Sequence, residues 1–124
     1  MLRSAAQVFA AAPAHIATSA ASPLATVTYK AFGPENGEYE LEIEYSLDGG
    51  RTYSSTIPDN PLDAYCVATS PEGEEGLLEW DFLADLNGAT PTEVLVRLRL
   101  VDGEAHQSAW TSTSFRPQLR KAGH

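Results

Sequence analysis

Carboxylates are the most abundant reactive groups in this chain, with seventeen acidic residues against eight basic ones and three histidines. Glycoside cleavage would need two carboxylates roughly 5–10 Å apart, one of them with a raised pKa. Glu38, Glu40, Glu42 and Glu44 recur at every second position, a spacing that lines them up on one face of a strand. That face is expected in water, where nothing favours the neutral acid. Glu72, Glu74 and Glu75 have the oxygen chemistry for calcium, but no DxDxDG loop surrounds them and a solvated turn is expected instead. His15, His106 and His124 show no ligand spacing. Cys66 has no second thiol to pair with, and its flanks Ala64, Tyr65, Val67 and Ala68 predict a small buried hydrophobe. P-loop, GxGxxG, HExxH and GxSxG motifs are all missing. The chain is therefore expected to hold no catalytic residue, no metal and no cofactor.

The two remaining groups of interest are aromatic and basic. Trp80 and Trp110 are expected to pack in the core or between sheets rather than to form a carbohydrate platform. Arg97 and Arg99 alternate with Leu95 and Val101, which predicts that they oppose the glutamate stripe across strands. A formal net charge of -9 disfavours nucleic acid and anionic lipid as partners. No apolar run approaches the roughly 18 residues that span a bilayer.

These side chains must be positioned by strands. The clearest is 38–47, where Tyr39, Leu41, Ile43, Tyr45 and Leu47 alternate with the glutamates and are predicted to face inward. Segment 93–101 alternates in the same way, with Val94, Val96, Leu98 and Leu100 on one face. Further strands are predicted at 24–32, 51–57, 64–69, 77–82 and 109–115, each bounded by glycine, proline, asparagine or aspartate. Segment 77–86 has two readings. Leu78, Phe82 and Leu86 fit a helix capped by Asn87-Gly88, whereas Leu78, Trp80 and Phe82 fit one face of a strand; the strand is expected, with a turn after it. Seven short antiparallel strands indicate an all-β sandwich over residues 24–115.

At Ser46-Leu47-Asp48-Gly49-Gly50-Arg51-Thr52-Tyr53 the sequence resembles an Asp-box hairpin. The order of that hairpin, then Leu77 to Phe82, Val94 to Glu104 and Thr111 to Phe115, is similar to fibronectin type III-like and immunoglobulin-like modules of bacterial and phage proteins. The resemblance implies a seven-stranded sandwich in which Ser46, Asp48, Gly49, Gly50 and Thr52 serve the turn. An aspartate in such a turn accepts bonds from backbone N–H groups two or more residues on, so Asp48 is expected to be structural.

Residues 1–23 are alanine-rich and carry one charge, Arg3. Gln7, Pro13 and His15 interrupt their apolar run, so an extended N-terminal arm is expected over a cleaved secretory leader. Alanine, serine and threonine bury little area, and only Leu2, Val8, Phe9 and Ile16 could anchor the arm, which is expected to pack on other chains. Residues 116–124 form a basic tail without periodicity. The resulting expectation is a non-enzymatic structural or interaction subunit of a larger, possibly homo-oligomeric assembly, in a virion or an extracellular appendage. The alternative is a secreted adhesion or glycan-binding module.

Overall fold

Glutamate and apolar residues alternate along β3 (Gly37–Ser46), and the strand forms as that period demands. Leu41 and Ile43 are buried, Glu38 and Glu40 are exposed, and Glu42 and Glu44 are half-covered on the outer surface. The computed structural model describes residues 9–18 and 23–117. Within them the chain forms β1 (Ala10–Ala17), β2 (Ala25–Phe32), β3, β4 (Ser54–Thr56), a 3-10 turn (Pro61–Ala64), β5 (Val67–Thr69), β6 (Glu74–Trp80), α1 (Phe82–Leu86), β7 (Val94–Val101) and β8 (Thr111–Phe115). The strands pair antiparallel in two sheets, ordered β1-β2-β6 and β4-β3-β7-β8, with β5 added to the start of β3. The protein is an all-β sandwich.

The core lies between the two inner faces. The smaller sheet contributes Val27, Tyr29, Leu78 and Trp80, and the larger one Leu41, Ile43, Val96, Leu98 and Leu100. Trp80 is fully buried at the centre of an aromatic cluster, with ring centroids 5.3 Å from Tyr45, 5.9 Å from Phe82 and 6.2 Å from Phe115. Offset and edge-on contacts at these distances add to the stabilisation from area burial alone.

Several expectations are corrected. Residues 10–17 are not a separate arm: β1 pairs along its length with β2, with a register shift between Pro13 and His15. Ile16 is buried in the sandwich's own core, and Phe9 stacks on Tyr39 at 4.6 Å. Backbone hydrogen bonds to a neighbouring strand form whatever the side chains are, so a run of alanine can complete a sheet that it could not nucleate. Leu2 and Val8 lie outside the described residues. The sandwich therefore has eight strands among the described residues, and its first begins before residue 24.

Segment 77–86 uses both of its readings in succession. The strand ends at Trp80, and Asp81 caps α1 by accepting a bond from Ala84 N–H at 3.4 Å. Asn87 closes the helix in the left-handed region at φ 50°. Cys66 is exposed rather than buried, because a positive φ of 56° turns the chain there between the 3-10 turn and β5. Leu47 is exposed because β3 stops at Ser46 and the turn begins. The strands expected at 51–57 and 64–69 shrink to β4 and β5, since the first gives residues to the turn and the second to the 3-10 segment.

Candidate functional site

The hairpin between β3 and β4 brings together the five turn residues picked out from the sequence. Ser46 is buried at the hub: its hydroxyl donates to Asp48 Oδ1 at 2.7 Å and accepts Gly50 N–H at 2.9 Å. Asp48 Oδ1 also accepts Thr52 N–H at 3.0 Å, and Oδ2 accepts the Thr52 hydroxyl at 2.6 Å. Gly49 and Gly50 take φ of 76° and 94°, which side-chain-bearing residues rarely adopt. The bonds from the Thr52 side chain and backbone, with that from Ser46, hold the Asp48 carboxyl far below the usual carboxylate range.

Asp48→Ala is expected to lower the melting temperature by a few degrees without unfolding the sandwich, since the strands on either side keep their ladders. The sign of its pH dependence follows from the depressed pKa. The contribution of Asp48 is fully present above the unfolded value of about 3.9 and is lost as pH falls below it. Thermal melts of wild type and Asp48→Ala from pH 7 to pH 2 should converge at the acid end, and a constant gap would reject this role.

The turn also delivers Tyr53 onto the outer face of the larger sheet. Cross-strand register places Glu42 opposite Arg99 and Glu44 opposite Arg97, and the pairs close as ion pairs. Arg97 Nε lies 2.9 Å from Glu44, and Arg99 Nε lies 2.6 Å from Glu42. The Arg97 guanidinium is 3.8 Å from the Tyr53 ring centroid and 4.4 Å from that of Trp110, while Arg99 sits 4.2 Å from the same Trp110 ring. Trp110 is thus not a core residue: it precedes β8, and the alternation of that strand puts it on the outer face beside Arg99. The ion pairs are partly exposed, so each contributes well under about 1 kcal/mol. Their main effect is to fix two long, flexible side chains in one arrangement.

The arginine–glutamate pairing was foreseeable from the two alternating strands. The aromatic members were not, because Tyr53 and Trp110 sit just before the short strands β4 and β8, where alternation can give a face but not which guanidinium the ring meets there. At the β7–β8 turn, Asp102, Glu104 and His106 have ligand atoms within 4.8 Å of one another, the one group of this kind among the described residues. Asp102 is already engaged there: Oδ1 accepts the N–H groups of Glu104 and His106 at 2.8 Å, and Oδ2 meets His106 Nδ1 at 2.9 Å. The contact with the Asp102 carboxylate raises the pKa of His106. These bonds make a self-closed turn. Glu72, Glu74 and Glu75 do not form such a group. No protein family, curated protein or solved structure matches this chain.

Proposed function

We propose that this chain is a non-enzymatic interaction subunit, a fibronectin type III-like sandwich that presents a rigid face to other protein chains of a larger assembly. The observation that carries this reading is the outer face of the larger sheet. There one guanidinium, Arg97, is engaged by Glu44, Tyr53 and Trp110 together. Tyrosine, tryptophan and arginine dominate the energetic centres of protein interfaces, and holding them in place before binding reduces the ordering cost. The fold assignment draws support from the strand order. Chain crossings from β2 to β3 and from β6 to β7 link a β1-β2-β6 sheet to a β4-β3-β7-β8 sheet, as in immunoglobulin-like sandwiches. The Ser46, Asp48 and Thr52 bonds are those that an Asp-box hairpin would use. A virion or an extracellular appendage is the setting that fits a module of this type. Glycan stacking is the weaker reading, because the Trp110 ring is already taken by two guanidinium groups.

Site-specific photo-cross-linking tests the proposal. Ser112 is exposed and opposite Arg97, so a photoreactive side chain there reports on the outer face; Glu75 on the other sheet is the control. Cross-linking in the native host should give a defined adduct from position 112, a second copy included, and Trp110→Ala should abolish it. Adducts from position 75 alone, or insensitivity to Trp110→Ala, would overturn the reading. Binding of the wild-type protein to a glycan panel with loss in Trp110→Ala would favour the glycan alternative.

A further inference from the structure

The backbone of β7 shows which edge of β3 is satisfied. Leu100 turns both backbone groups toward Ser108: its N–H donates to Ser108 Oγ and its carbonyl accepts Ser108 N–H, each at 2.9 Å. Alternation along the strand then aims the backbone groups of Arg97, Arg99 and Val101 at Glu44, Glu42 and Glu40 of β3. The intervening residues Tyr39, Leu41, Ile43 and Tyr45 must turn theirs to the opposite edge. There β5 covers Gly37 to Tyr39 and β4 covers Ile43 to Tyr45. Leu41 falls in the gap, with no strand beside it among the described residues.

A cavity of about 400 Å³ occupies that gap. Loop 57–66 forms its far wall, held by Asp59 N–H on the Glu79 carbonyl at 2.7 Å and by the 3-10 turn that Asn60 caps. Ile57, Pro61 and Tyr65 give apolar walls, and Ile57 and Tyr65 are 65% and 52% exposed. Glu40, Glu42 and Glu44 supply carboxylates. Glu42 and Glu44 are taken by Arg99 and Arg97, whereas Glu40 has no ion pair among the described residues. Arg99 also lines the cavity, but its guanidinium is drawn onto Glu42 and the Trp110 ring.

We propose that this notch is a binding site for an arginine side chain of a partner protein. The aliphatic stem would lie against Ile57, Pro61 and Tyr65, and the guanidinium would donate to the Glu40 carboxylate and the Leu41 carbonyl. Charge complementarity selects this occupant. The cavity has in Glu40 a carboxylate without an ion pair among the described residues and in Leu41 a carbonyl that neither β4 nor β5 pairs. The protein carries a net charge of -9, and a guanidinium has five donors in a planar fork. The notch borders the aromatic face and shares Glu42, Glu44 and Arg99 with it. Its own acceptor, Glu40, and its walls, Ile57, Pro61 and Tyr65, lie outside that face, so each proposal is tested by its own variant.

The test uses the full chain and a blocked tripeptide, acetyl-GRG-amide, followed by amide NMR. In the free protein the Leu41 N–H should exchange faster than those of Ile43 and Tyr45. The tripeptide should shift Leu41, Ile57 and Tyr65 saturably, and its citrulline counterpart should not. Glu40 is exposed, so Glu40→Gln should fold normally and weaken binding about tenfold, as expected for the loss of one charge-assisted hydrogen bond. Absence of saturable shifts at the notch, equal binding of the citrulline peptide, or unchanged affinity in Glu40→Gln would each overturn the proposal.

Discussion

Gly76→Ala is expected to destabilise the sandwich by about 2–3 kcal/mol, the cost of forcing one extra carbon into a filled interior. Gly76 sits in β6 directly opposite Tyr29 of β2, whose ring lies across it and is only 5% exposed. A Cβ at this position would stand under 3.0 Å from three atoms of the phenol, nearer than packed carbons approach. The ring must swing out, losing its own burial, or the strands must part. Urea denaturation measures the effect as a lower midpoint with an unchanged slope. Tyr29→Leu should relieve most of the clash, so the double variant should cost less than the sum of the single ones. Strict additivity would show that the ring does not depend on the glycine.

Asp85→Ala is expected to cost about 3 kcal/mol, because it strips acceptors from two donors at once. Asp85 Oδ2 accepts both the indole N–H of Trp80 and the hydroxyl of Thr56, and the Asp85 carbonyl accepts the Tyr45 hydroxyl at 3.3 Å. Trp80 is fully buried, so its N–H has no water to turn to. Asp85→Asn keeps one oxygen acceptor and should lose roughly half as much. Thermal melts followed by tryptophan fluorescence should show the loss. If Asp85→Ala melted within a degree of wild type, the indole N–H would have to be satisfied elsewhere.

Asp85 also illustrates what could and could not be seen in the sequence. It lies in α1, a five-residue helix where the sequence predicts a strand over 77–82 and then a turn. Leu78 and Trp80 do alternate into the core, but Phe82 reaches the same core from the helix, so a strand period and a helix period coincide on these residues. β3 and β7 were legible because their inner faces bury every second residue against another sheet, and only period two satisfies that. β1 was not, since its alanine-rich run shows no alternation and its place is set by hydrogen bonds to β2. The Ser46 to Thr52 turn was legible from its own chemistry, being local. The Arg97 and Trp110 stack needs three separate segments to meet, and nothing local encodes that. The notch at Leu41 is more distant still from any motif: it exists because β4 and β5 are shorter than the apolar runs around them suggest.

A two-sheet sandwich leaves strand edges in water, and bare edges are how β-proteins aggregate. On β6 the exposed edge residues include Glu74, Glu75 and Glu79, whose like charges repel a second copy laid alongside. On the far side of that sheet β1 breaks register between Pro13 and His15, and a broken strand is a poor template for another. The smaller sheet is thus protected at both margins by different means, one by charge and one by shape. Both devices disfavour edge-to-edge pairing of copies along that sheet, the route by which a crowded β-protein would fuse into fibres.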